Sequence, residues 1–214
     1  MKRLVVIAVV LAVLAVVADV AAKAYAEGKV EDGAERRGTV STSAEADIRS
    51  FPFLPRLLTS GSAGGVNVRI TGFAAGRLRL ALVEIDVGEL RLDKTKLLQG
   101  DGVDVTGISD ARVAVEVTGP DLASATRLPV TIEEGGVRIT VAARAVAATP
   151  SLSAEGSLRL GAAGVSPAAI GLEGTGITAC TSTRVEVRGD RLRIECRTEE
   201  VPPVLLQAAA RGGE

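Results

Sequence analysis

The sequence predicts a mainly β fold with a few helices (α+β), a curled antiparallel sheet or half-barrel, preceded by an apolar N-terminal helix. Three observations point there. Apolar and polar residues alternate with period two through most of the chain after residue 43, the mark of half-buried strands. The interior must be aliphatic, since 47% of the 214 residues are hydrophobic but only 2% are aromatic. The opening residues are of another kind, two basic residues ahead of an unbroken apolar run.

That run extends from Leu4 to Ala18 behind Lys2 and Arg3 and stops at Asp19. Its fifteen residues span about 22 Å as a helix, short of a hydrocarbon core of about 30 Å. With Ala24-Tyr25-Ala26 ahead of Glu27, it reads either as a cleavable signal peptide or as a signal anchor continuing through Val20-Ala21-Ala22 to Lys23. In both readings the basic flank stays on the cytoplasmic side, and the rest of the chain is exported. The expected divisions are a signal anchor or signal peptide over 1–26, a helix end and linker over 27–43, and a β-rich domain over 44–214. The expected location is the outer face of the cytoplasmic membrane, or secreted if the chain is cut after Ala26.

The strands follow in order. Val66, Val68 and Ile70 alternate with polar neighbours, as do Leu78, Leu80 and Leu82. Val83, Ile85 and Val87 then occupy the other face, which calls for a bulge or bend between Leu82 and Val83. Further strands are expected at 89–92, 111–118, 129–133, 136–143, 157–160, 183–188 and 191–197. Glu134-Gly135 and Gly189-Asp190 suit tight hairpin turns. Short helices are expected from Pro55, over 121–126, over 167–170, and over 202–210 at the C-terminus. Phe51-Pro52-Phe53-Leu54-Pro55-Arg56-Leu57-Leu58 breaks the alternation and holds two of the three phenylalanines.

The composition excludes much. There is no histidine, so neither a Ser-His-Asp nor a Cys-His pair can form, and no His-ligated metal. Two cysteines are too few for a metal cage. Acidic pairs such as Glu133-Glu134 and Glu199-Glu200 fall where solvated hairpin tips and strand ends lie. No enzyme, cofactor or metal is therefore expected. Acidic residues number 26 against 25 basic, unlike a nucleic-acid binder. An even cysteine count in an exported chain suggests a Cys180–Cys196 disulfide. A two-residue turn at Gly189-Asp190 places Cys196 opposite Thr183, so the bridge needs Cys180 in a lead-in that folds back, or a bulge; the alternative is two free thiols. The aliphatic strand faces leave two readings open as well. They enclose a cavity suited to acyl chains, or they form a filled β core.

The apolar segment running into Ala18-Asp19, the helix containing Tyr25-Ala26-Glu27, the Phe51-Pro52-Phe53-Leu54 motif with Leu57-Leu58 and Gly61, and the strand-rich body closing on a hairpin over 185–194 resemble one family. The chain is similar to the LmeA-like phospholipid-binding proteins of the actinobacterial cell envelope. The resemblance implies an extracytoplasmic phospholipid binder built on an elongated β-structure like the tubular lipid-binding folds, and no catalytic residues. The Cys pair and the Val201-Pro202-Pro203-Val204 tail fall outside the family pattern. On this reading the partners are a phospholipid or related envelope lipid and, through the N-terminal segment, the cytoplasmic membrane. Phe51, Phe53, Leu54, Leu57 and Leu58 would line or gate the lipid entrance, with Arg56 meeting a phosphate head group. A non-catalytic structural or assembly protein with a filled core is the alternative; no protein partner is identifiable.

Overall fold

A computed structural model of the chain describes residues 2–35, 43–75, 77–93, 95–96, 105–134, 136–153, 157–162, 165–171, 180 and 182–199. The expected C-terminal helix over 202–210 lies outside them.

Helix α1 (Lys2–Glu35) runs without a break past Ala26-Glu27 and Gly28. Among the described residues no helix is long and apolar enough to cross a membrane. The second half of α1 docks on the edge of a sheet. Strand β1 (Ser43–Ile48) is the outermost of six, so alternate backbone N–H groups face outward without a strand partner. Glu31 accepts from the Ala46 N–H at 2.9 Å and Glu27 from the Ile48 N–H at 2.7 Å. The spacings match: four helical residues rise about 6 Å, and two strand residues about 6.7 Å. One turn earlier, Lys23 reaches Asp47 at 3.4 Å.

After α2 (Phe53–Ser60), β2 (Ser62–Ala75), β3 (Leu78–Leu92) and β4 (Val105–Thr118) continue the sheet antiparallel. Strands β10 (Ser182–Arg188) and β11 (Arg191–Thr198) complete the order β1-β2-β3-β4-β11-β10. The face switch expected between Leu82 and Val83 is present: Val83, Ile85 and Val87 are buried, and so are Leu78 and Leu80 from the other face. It needs no bulge. One register holds from Val66–Val87 to Ala75–Leu78. Pairing of β3 with β4 begins only at Leu82, so the hairpin beyond it is a two-stranded ribbon, free to twist strongly. On β2 the change is matched at Gly72, whose φ of 71° suits glycine. The strand expected at 89–92 is continuous with the residues before it, and β3 is one strand.

Helix α3 (Gly119–Thr126) follows β4 directly. Thr118 caps it, accepting from the Asp121 N–H. A second, five-stranded meander follows: β5 (Val130–Glu133), β6 (Gly136–Val141), β7 (Arg144–Leu152), β8 (Ser157–Ala162) and β9 (Val165–Gly171). Helix α3 touches β3 and β4 of the first sheet and β5 and β9 of the second. Buried side chains of both sheets, α2 and α3 form one core. The fold is thus mainly β with a curled, unclosed antiparallel sheet, as expected, though the strands divide between two sheets.

Two local expectations fail for physical reasons. Residues 167–170 form not a helix but part of β9, an edge strand, where Pro167 sits at a register shift against β8 and no ladder hydrogen bond is asked of it. The strand expected over 136–143 ends at Val141, because Ala142 and Ala143 turn the chain with φ of 47° and 62°. Alanine gives no warning of such a turn, which ordinarily selects Asn or Gly.

Cys180 and Cys196 are bonded, with Cα atoms 5.5 Å apart. Cys196 lies opposite Thr183 in the β10–β11 ladder, and Cys180 lies in the segment leading into β10. Closing this loop contributes about 3 kcal/mol in the chain-entropy picture.

Candidate functional site

The Phe-Pro-Phe-Leu segment forms the entry to α2. Pro52 occupies the N-cap position, where it has no side chain to cap the helix. The cap comes from α1. Asp19, only 4% exposed, accepts from the Phe53 N–H at 2.9 Å and the Leu54 N–H at 2.5 Å. These are two of the N–H groups a helix leaves unpaired at its start, and a carboxylate there also meets the positive end of the helix dipole. Asp19 is the residue that ends the apolar run of α1. The first turn of α2 is therefore pinned where that run stops.

Helix α2 carries two apolar stripes at i, i+4 spacing. Phe53 and Leu57 point into the core at 5% and 8% exposure. Leu54 is half-buried, Leu58 is 51% exposed, and Phe51 just outside the helix is 72% exposed. The six residues singled out from sequence are thus contiguous but divided. Two fill the core, and three form a ledge at its margin. The sixth, Arg56, folds back toward β2, where its Nε donates to Ser62 Oγ at 3.3 Å. A Cβ on Gly64 would come within 2.8 Å of the Arg56 Nη1, so the glycine makes room for the guanidinium. No carboxylate pairs with Arg56 among the described residues. Along α1 to either side of Asp19, Val13, Leu14, Val17 and Val20 are exposed as well.

Facing the other way, the aliphatic side of the six-stranded sheet is deeply buried. Val83, Ile85, Val87, Val113, Val115 and Val117 are 2% exposed or less. The opposite side is charged and holds an open concavity of about 560 Å³ lined by β3, β4, β10 and β11. Below its rim Arg193 bonds Glu195 at 2.7 Å, Glu116 at 2.9 Å and Glu84 at 3.3 Å. Burial disfavours the charged guanidinium, but these hydrogen bonds outweigh it and raise its pKa further. The bond from Arg193 in turn holds the Glu195 carboxyl below the usual range, against partial burial, with Arg188 and Arg184 adding to the effect. No three Cys, Asp or Glu side chains among the described residues are placed to hold a metal ion.

The profile of one protein family, described as LmeA-like phospholipid-binding, matches residues 17–211, nearly the whole chain. The chain belongs to that family. No curated protein and no solved structure matches the chain. Membership in the LmeA-like family supports lipid binding, and the family is one of binders, not catalysts. The match begins at Val17, within two residues of Asp19, so it takes in the docking half of α1 along with α2 and both sheets. Sequence reasoning missed the residues that hold these parts together: Asp19, Lys23, Glu27 and Glu31. Their signal was available in the i, i+4 repeat of charged residues along one helix face, in a segment read for its hydrophobicity and its helix-forming residues but not for the spacing of its charges.

Proposed function

We propose that this LmeA-like chain is an extracytoplasmic lipid-binding protein that takes up a phospholipid at α2 while α1 holds it to the membrane. The observation that carries the reading is the Asp19 carboxylate on the first turn of α2. It ties the end of the α1 apolar run to an exposed ledge of Phe51, Leu54 and Leu58, which has a guanidinium without a carboxylate partner beside it. In this reading the ledge meets the acyl chains and Arg56 the phosphate. Phe53 and Leu57 form a plug whose displacement would admit chains into the core. The contacts of Asp19 and Lys23 with the body would be lost on cutting after Ala26, which favours α1 as a retained anchor over a cleaved signal peptide.

The deeply buried aliphatic face favours one alternative, a structural or assembly protein of the envelope with no acyl-chain cavity. Lipid extraction and native mass spectrometry of the purified chain separate the two, followed by uptake of fluorescent phosphatidylethanolamine from vesicles. Copurified lipid, with uptake cut at least fivefold in a Phe51→Ser, Leu58→Ser double variant of unchanged stability, is expected. A lipid-free protein that takes up no label would sink the lipid reading and leave the structural one. N-terminal sequencing of the mature protein tests retention: a start at Glu27 would remove the anchor.

A further inference from the structure

The outward side of the six-stranded sheet is a grid of charge. Strand register places Asp86, Arg112, Arg197 and Ser182 in one row across β3, β4, β11 and β10. Glu84, Ala114, Glu195 and Arg184 form the next row, and Leu82, Glu116, Arg193 and Glu186 the third. A solvated ladder would pair its charges off, and around Arg193 this one does. Glu84, Glu116 and Glu195 all bond it, and Arg69 and Arg191 join from outside at 3.1 and 3.0 Å.

The first two rows are different. Arg112 stands directly opposite Asp86 on one side and Arg197 on the other, the latter an arrangement that like charges disfavour. Arg112, Arg184 and Asp86 make no hydrogen bond or ion pair among the described residues; Arg184 only influences Glu195 from a distance. In their midst is Ala114, whose short side chain lies between Glu84 and Glu195 on the floor of the dent of about 560 Å³. Arg112 and Arg184 lie two strands and two residues apart, about 12 Å between Cα atoms, so their side chains can converge over it.

We propose that this dent is a ligand site for a phosphate ester that carries a hydroxyl or ammonium group close to its phosphorus. Two planar guanidinium forks with no acceptor of their own suit the phosphoryl oxygens. An added anion would also relieve the Arg112–Arg197 repulsion. Asp86, at the far end of the row, accepts from the hydroxyl or ammonium group. The dent's size is that of small-molecule sites, but its charged lining excludes acyl chains. Such an ester is either soluble or the polar head of a membrane lipid. The site is spread over β3 to β10, whereas α2 packs on β2 and α1, so it stands independently of the reading given to α2.

The test uses the full chain at low salt, with sn-glycerol 3-phosphate and phosphoethanolamine as soluble probes and phosphatidylethanolamine vesicles as the membrane source. Saturable binding by calorimetry is expected for at least one soluble probe. Arg112→Gln and Arg184→Gln should each weaken it about tenfold or more, as loss of a charge-assisted contact does. Arg138→Gln, on β6 of the second sheet and not among the residues that line the dent, should leave it nearly unchanged. Without ligand, Arg112→Gln should leave the melting temperature nearly unchanged, since Arg112 makes no ion pair among the described residues. Vesicles that compete with the soluble probe identify a lipid head as the ligand; vesicles without effect identify a free ester. No binding of either soluble probe, or equal weakening by Arg138→Gln, overturns the proposal. Phe51→Ser, Leu58→Ser should retain ester binding even where lipid uptake is lost, which keeps the two readings separable.

Discussion

The two faces of the six-stranded sheet use the same strands to different ends. On β3, Ile85 has no exposed surface and sits among Val68, Val113 and their neighbours, while Glu84 and Asp86 on either side of it belong to the charged grid. The inward face derives its energy from area removed from water, about 1.5–3 kcal/mol for each large aliphatic side chain fully buried. The outward face derives little, because ion pairs reached by water contribute about 0–1 kcal/mol each. Stability therefore explains the inward pattern completely and the outward one poorly. Where charge is ordered but contributes little to folding, binding is the better account of its order.

The sharpest way to break this comparison is to truncate neighbours on one strand. Ile85→Ala leaves a cavity in a filled core and should cost about 2–5 kcal/mol in urea unfolding. Asp86→Ala, one residue along, should stay within about 0.5 kcal/mol, as surface changes do. Equal losses would mean that the grid holds the fold together and would remove the argument for a binding face.

A smaller effect is expected at the point where the two faces converge in character. Arg193 is half-buried and is the hub for three glutamates. Arg193→Met keeps the stem that packs on the sheet but leaves Glu84, Glu116 and Glu195 close together without their cation. The cost should be about 1–2 kcal/mol, below that of a fully buried pair because water still reaches the carboxylates. Adding Glu116→Gln should recover part of it, and a double-mutant cycle would measure the coupling. No coupling would mean that the hub is no more than a solvated ladder.

Much of this was legible in the sequence, because period-two alternation is a direct consequence of which way strand side chains point. It located β3, β10 and β11, the Cys196–Thr183 register, and even the face switch after Leu82. What it could not carry was tertiary. The switch falls where the β2–β3 ribbon runs past the end of its pairing with β4 in unbroken register, not at a bulge, and the Ala142-Ala143 turn has no turn residues to announce it. At the candidate site, composition picked out Phe51 to Leu58 as a unit but could not say that Phe53 and Leu57 face inward while Phe51 and Leu58 do not. The Asp19 cap spans 34 residues of sequence, and only the docking of α1 on β1 and α2 makes it possible. The dent at Ala114 is lined by four strands side by side, a juxtaposition that no one strand contains.

The smallest expected effect concerns pH, and its sign discriminates between the faces. The inward face has no titrating group among its core side chains, so its contribution does not change with acidity. Glu195 does titrate, and its folded pKa lies below the unfolded value because the Arg193 bond favours the carboxylate. The stability it adds is present above the ordinary glutamate pKa of about 4.3 and is lost as pH falls through the depressed folded value. Melting temperature should thus decline below about pH 4.3 with a slope that Glu195→Gln reduces and Ile85→Val leaves unchanged, although Ile85→Val lowers stability at every pH. Glu195 is partly open to water, so the change in slope will be modest. It is nonetheless specific, because a core substitution shifts the whole curve while a grid substitution changes its shape. If Glu195→Gln merely displaced the curve, Glu195 would be acting through packing, and the division of labour between the faces would fail at its most exposed hub partner.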